Sequence, residues 1–250
     1  MIFPADMPPV EHGFRPESSL DLAAFSPAFS VPQLDALTGG FWPGQVSFVE
    51  SSSRFLFPLT SMLCARAALD GEVVFVDGGN SVDPYGIARI CKARRVDPRA
   101  VLSRIHVARA FTAYQLATLV DERLDRAVRE SGASTIVVSC LLEMFFDKDI
   151  PWRESYQLIK RCLGEVREVA RDSGAAALVT HYSRRPLSRR LTMLLDSETD
   201  VAMTLRESEG AITASSRYGE ATFHVGRRRA QRSLDQFKGG ALHGQDAAYL

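Results

Sequence analysis

The residues of this 250-residue chain best placed to do chemistry are Ser51, Ser52, Ser53, Arg54, Phe55, Leu56, Phe57 and Pro58. They follow Gln45-Val-Ser-Phe-Val-Glu50, which reads as a buried strand, and they open residues 58–69, which read as a helix. A strand, a short loop and a helix N-terminus in that order is where a polyphosphate would sit. Holding one takes G-x-x-x-x-G-K-[ST]. Glycines let backbone N–H groups approach the phosphates, a lysine meets their charge, and a hydroxyl holds Mg²⁺. Here Phe57 stands in the lysine's place and Pro58 in the hydroxyl's. Proline has no N–H to give, though it suits a first helical turn. The three serines still offer donors, so an anion nest competes with a plain polar loop.

A second set of residues suits a polyanion of another kind. Tyr182-Ser-Arg-Arg-Pro-Leu-Ser-Arg-Arg190 carries Arg184, Arg185, Arg189 and Arg190 for phosphate contact and Tyr182 for base stacking. Lys148, Trp152 and Arg153 form a smaller group of the same character. Near the end, Gln231-Arg-Ser-Leu-Asp-Gln-Phe237 has the form Gln-x-x-Leu-x-x-Phe and resembles the peptide by which replication and repair proteins bind sliding clamps. Leu234 and Phe237 share one face of a helical turn, which suits a hydrophobic pocket. Lys238 stands where many such peptides have a second aromatic.

Other catalytic constellations do not appear. His12, His106, His181, His224 and His243 lack metal-ligand spacing, and there is no G-x-S-x-G elbow. His106 opens an apolar run and His181 closes one, so both are expected as buried structural histidines. Cys64, Cys91, Cys140 and Cys162 form no C-x-x-C pair and read as reduced core thiols. The sequence therefore implies no metal and no cofactor. Charges balance at 30 against 30, so nucleic-acid binding must come from a local patch. No apolar run approaches ~18 residues and no secretory signal is visible, so a cytoplasmic setting without membrane contact is expected.

The elements that position these groups alternate. Strands are expected at 73–77, 105–108, 135–140 and 176–180, and helices at 83–94, 112–131 and 151–173. Three short runs, 201–206, 211–216 and 221–225, read as an antiparallel extension at one edge. The organisation is a leader over 1–30, a core over 31–225 and a basic tail over 226–250. Strand–helix repetition argues for an α/β fold, a mainly parallel sheet flanked by helices.

Over residues 31–206 the chain resembles the RecA/RadA recombinase superfamily, particularly the archaeal and eukaryotic strand-exchange branch and its paralogs. The carriers are Leu34-Asp35 with Gly39, Gly40 and Gly44, then Val73-Val-Phe-Val-Asp77, Val107-Ala-Arg-Ala-Phe-Thr112, Thr135-Ile-Val-Val-Ser139 and Ala177-Leu-Val-Thr-His181. The resemblance implies a RecA-like P-loop NTPase core whose ATPase residues are replaced. Ser139 stands where the superfamily has its metal-orienting Asp, and Gly79 where it has its water-activating Glu. It also implies that residues 182–190 and 147–153 occupy the DNA-contacting loops. Those recombinases often carry a helical DNA-binding domain before the core, for which the leader leaves no room. Phe25-Ser-Pro-Ala28 resembles the Phe-x-x-Ala plug that joins them into filaments, implying a recombinase-like or self-associating partner. The expectation is a non-catalytic accessory or scaffold protein of DNA recombination and repair. The alternatives are a protein–protein regulatory module without DNA binding, and a nucleotide-binding protein with a rebuilt site.

Overall fold

A computed structural model describes Phe29 and residues 31–224. Phe25 and Ala28 of the leader, and Gln231, Leu234 and Phe237 of the tail, lie outside the described residues. Apolar runs become the strands β1 (Val46–Ser51), β2 (Glu72–Asp77), β3 (Ile105–Arg109), β4 (Ala133–Ser139), β5 (Ala176–Tyr182), β6 (Val201–Ser208), β7 (Ala211–Ser216) and β8 (Gly219–His224). They form one sheet in the order β3-β2-β4-β5-β1-β6-β7-β8. The strands from β3 through β6 pair in parallel, and β7 and β8 fold back antiparallel. The sheet is thus mainly parallel with an antiparallel edge, as the sequence predicts. The turn to antiparallel comes one strand later than expected, because β6 runs alongside β1 in parallel register, Phe48 opposite Ala202.

Helices cover both faces. On one lie α1 (Pro32–Thr38), α2 (Leu56–Asp70), α3 (Pro84–Ala93) and α4 (Pro98–Leu102). They bury Leu34, Leu59, Leu63, Ile87 and Val101 against Val49, Phe75 and Leu178. On the other lie α5 (Ala113–Thr118), α6 (Leu124–Ser131), α7 (Trp152–Ser173) and α8 (Arg189–Glu198). They bury Leu116, Val128, Leu163 and Leu194 against Phe48, Val76 and Ile136. Local signals start and stop these helices. Asp83 accepts from the Gly86 N–H at 2.8 Å ahead of Pro84, and Thr112 accepts from the Gln115 N–H at 3.2 Å. Gly132 and Gly174 close α6 and α7 at φ of 65° and 70°, in the left-handed region that glycine enters without strain.

Three expectations are corrected. The single helix over 112–131 is interrupted by a π turn at Leu119–Arg123. The buried residues Leu116, Val120, Leu124 and Val128 recur every four positions. In a pure α-helix that spacing drifts about 40° per step, and the wider turn takes the drift back. β3 is an edge strand, so His106 is not buried. Its Nε2 lies 2.9 Å from Glu72 Oε2, in contact with solvent. Third, Arg189 and Arg190 belong to the first turn of α8, capped by Ser188, rather than to a loop.

Candidate functional site

β1 delivers Ser51, Ser52 and Ser53 to the N-terminus of α2, the position where a phosphate loop would lie. The geometry there is closed on itself. Ser51 is fully buried. Its hydroxyl reaches the carbonyls of Ser53 (3.1 Å) and Leu205 (3.2 Å) and accepts from the Ser53 N–H at 3.0 Å. Ser53 Oγ accepts from the Phe55 N–H at 3.0 Å and donates to Glu207 Oε2 at 2.5 Å. The next N–H groups are also engaged, Leu56 with the Ser53 carbonyl and Phe57 with the Arg54 carbonyl. An anion arriving here meets a carboxylate and donors already turned inward. The anion-nest expectation for residues 51–53 thus meets occupied donors, while Ser52 and Arg54 are exposed.

Bulk fills the rest. Leu56 is buried in the core beside Leu59. The Phe57 ring packs on the Tyr182 ring, centroids 5.3 Å apart. Pro58 lies within the first turn of α2.

The ends of β2, β4 and β5 converge on a buried polar chain. Ser139 Oγ lies 2.6 Å from Ser81 Oγ and 3.3 Å from Thr180 Oγ1. Ser81 Oγ in turn donates to Asp77 Oδ1 at 2.9 Å. The same carboxylate accepts from the Ser81 N–H at 2.8 Å and pairs with Arg109 Nε at 3.1 Å. Asp77 is therefore compensated although no solvent reaches it. A carboxylate in place of Ser139 would face Asp77 across Ser81 with only Arg109 to balance both. At Gly79 a Cβ would fall 2.5 Å from Cys140 Sγ. Residue 79 therefore has no room for a side chain while Cys140 stands where it does.

Around these residues burial raises several pKa values. The Cys64 and Cys162 thiols are pushed up to about 12, chiefly by desolvation, and Cys140 is raised further by desolvation and the neighbouring Glu143. All four cysteines are buried and unpaired with one another, as expected. Glu50 on β1 is raised by desolvation, against the pull of His181 and Arg206. Among the described residues no group of three His, Cys, Asp or Glu side chains could hold a metal ion. None of their helices is long and apolar enough to cross a membrane.

The two basic segments lie next to one another. Arg184 and Arg185 are exposed in the turn after β5, where Ser183 Oγ accepts from the Arg185 N–H at 3.0 Å. The Arg190 guanidinium stacks over the Tyr156 ring of α7 at 4.0 Å, and Tyr156 neighbours Trp152 at 6.1 Å. One aromatic stack thus joins the arginine segment to the start of α7, where Arg153 is exposed. Lys148 is flanked by Asp147 and Asp149, which weakens that segment's pull on a polyanion. Tyr182 is half-buried with its ring committed to Phe57, so it is less available to a base than its sequence position implies.

Sequence reasoning missed Ser81, Arg109, Glu143, Tyr156 and Glu207. A signal existed for Glu207. The alternation Val201, Met203, Leu205 places it on the α2 face, just beyond the last buried residue of β6. Glu143 and Arg109 carried no comparable signal, since each meets a partner more than thirty residues away (|i−j| of 39 for Glu143 and Tyr182, 32 for Arg109 and Asp77).

No family model matches the chain. Curated relatives do, among them the "Meiotic recombination protein DMC1/LIM15 homolog" of Mus musculus and that of Homo sapiens. Each is 22% identical over 196 residues, covering 67% of this chain and 58% of the relative. The chain therefore spans less than two thirds of the length of the relatives it matches. Taken with the mainly parallel, helix-flanked sheet, this makes the chain distantly similar to the RecA/RadA recombinase superfamily.

Proposed function

We propose that this chain is a non-catalytic RecA/RadA-like paralog, an accessory or scaffold protein in DNA recombination and repair. The observation that carries the reading is the closed serine turn. Ser51 and Ser53 bond inward, Glu207 stands against Ser53, and Phe57 packs on Tyr182. Those features oppose a nucleotide at the same point of the sheet where a recombinase-like ATPase would hold one. Ser139 and Gly79 remove the metal-orienting and water-activating carboxylates in the same reading. DNA is bound through Arg184, Arg185, Arg189 and Arg190, with Lys148 and Arg153 adding to the patch and Tyr182 bordering it. The Gln231, Leu234 and Phe237 tail tethers the protein to a sliding clamp, and the separate weak contacts reinforce one another through effective concentration. Four buried free thiols suit a cytoplasmic setting.

The experiment is fluorescence anisotropy of labelled single- and double-stranded DNA across a salt titration, with and without ATP–Mg²⁺. The expected result is salt-sensitive binding, indifferent to ATP. Replacing the four arginines with Ala flattens the salt dependence by several contacts. Unchanged low-salt binding in that variant, or nucleotide dependence in the parent, refutes the reading.

A second reading, a protein–protein module without a DNA role, is favoured by the β3 edge. Val107 is 47% exposed there, and Phe111 and Tyr114 just beyond are 74% and 52% exposed. An open edge strand beside exposed apolar side chains suits strand addition by a recombinase-like partner or a second copy. Phe25 and Ala28 would serve the same kind of contact. This reading predicts a stable complex with an active recombinase and no DNA affinity at low salt.

A further inference from the structure

We infer that Phe57, Tyr182 and Glu143 are positioning residues that hold the two candidate DNA-contacting segments in one arrangement without any nucleotide. The inference deepens the DNA-binding reading and rests on it for its functional arm.

The contacts form an unbroken path. Phe57, at the start of α2, packs its ring on Tyr182 at 5.3 Å with the planes tilted by 47°. Tyr182 is the last residue of β5, immediately ahead of the arginine segment. Its N–H donates to Glu143 Oε1. The following N–H, of Ser183, donates to the Ser51 carbonyl at 2.9 Å. Glu143 opens the 3₁₀ turn Glu143–Phe146, which leads directly to Lys148 and Arg153. Its other oxygen, Oε2, lies 3.2 Å from Nδ1 of the buried His181. The Phe146 ring closes the path edge-on to His181, centroids 5.8 Å apart.

The roots of both segments are therefore fastened to the serine turn and to each other. The fastening at the turn is an apolar ring contact, worth having only while both rings are present and indifferent to phosphate or Mg²⁺. A charged group at residue 57 would instead need a counter-charge, and the position of the roots would depend on what supplied it. The polar half is directional. Glu143 must reach the Tyr182 N–H from a turn that packs elsewhere through the buried Phe145, so its carboxylate sets where the turn begins relative to β5. Core burial alone does not require this carboxylate, which could be solvated.

The test is hydrogen exchange of the full chain, without DNA, in Phe57→Ala, Tyr182→Ala and Glu143→Ala, beside the conservative Tyr182→Phe and Glu143→Gln. The Ala variants are expected to raise exchange over residues 144–151 and 183–188 by about tenfold, with α5 and α6 unchanged. The conservative variants, which keep the ring and the acceptor, are expected to match the parent. Unchanged exchange in both segments, or an equal rise across the whole sheet, overturns the inference. DNA anisotropy on the Phe57 and Glu143 variants, whose side chains lie outside the proposed DNA patch, is the second arm, with affinity falling several-fold in Phe57→Ala and Glu143→Ala but not in Glu143→Gln. If the local exchange responds while the parent binds no DNA at low salt, the positioning role stands and the DNA reading falls.

Discussion

The Ser53 hydroxyl donates a hydrogen bond to Glu207, Oγ to Oε2 at 2.5 Å, across 154 residues of sequence. The pair joins the turn after β1 to the end of β6. It puts a fixed negative charge beside the N-terminus of α2, the end of a helix that favours one. The protein thus supplies its own anion where an outside anion would otherwise be attracted.

Replacing Glu207 with Ala should remove a charge-assisted hydrogen bond. Its exposure to solvent limits the loss to about 1 kcal/mol. For a chain of this size that lowers Tm by about 2–4 °C. Differential scanning calorimetry checks it, and an unchanged Tm in Glu207→Ala would show the pair to be decorative.

Placing a lysine at residue 57 should not create nucleotide binding. The Phe57→Lys variant still lacks a free cradle, since the serine-turn donors face inward, and it loses the Tyr182 contact. We expect a stability loss of roughly 1–2 kcal/mol. Addition of ATP–Mg²⁺ should leave Tm unmoved, because a ligand raises Tm only if it binds the native state. A nucleotide-dependent rise in Tm would revive the reading of a rebuilt nucleotide site.

Gly79→Ala should destabilise by about 1–3 kcal/mol, the range for forcing a methyl into filled space. The added Cβ would fall 2.5 Å from Cys140 Sγ. It would also fall 2.6 Å from Cys140 Cβ, so urea denaturation of the double variant Gly79→Ala/Cys140→Gly, which removes both atoms, should recover part of that loss, since the two sites share one contact. Strict additivity of the two single effects would contradict the clash.

Buried thiols give the protein an alkaline limit. Cys64 and Cys162 are raised from 9.0 to about 12, so the native state keeps protons that the unfolded chain releases. Native thiols then bind more protons than unfolded ones between those values, and stability falls as pH rises. The contribution is intact below pH 9.0 and declines steadily towards about 12. Urea midpoints measured from pH 8 to pH 11 should shift downward, and Cys64→Ala should lessen the slope. Thiol reagents should label Cys64 and Cys162 in urea but not in the native protein.

Much of the sheet was legible because parallel strands buried on both faces write themselves as short apolar runs. Val73, Val74, Phe75 and Val76 are an example, and all are buried. Strand neighbours were less legible. That β6 lies beside β1 is a pairing of strands far apart in sequence, and no local pattern states it. α8 carried a signal that the arginines obscured: Ser188 as cap, then Leu191, Leu194 and Leu195 at helical spacing. At the site, the departure of residues 51–58 from the G-x-x-x-x-G-K-[ST] pattern could be read directly. The contacts made there could not, because Glu207, Ser81 and Arg109 act through partners brought near only by the fold. His106 was misjudged because edge and centre strands share the same residue preferences.

The close approach of Gly79 to Cys140 also fixes an order of events for any lineage or designer wishing to place a carboxylate at residue 79. Residue 140 must shrink or move before residue 79 can grow, and Cys140 itself sits at a φ of 57°, where few replacements are comfortable. A side chain at residue 79 alone carries the cost of that clash, so the two positions are coupled: what residue 79 can hold is set by what stands at residue 140.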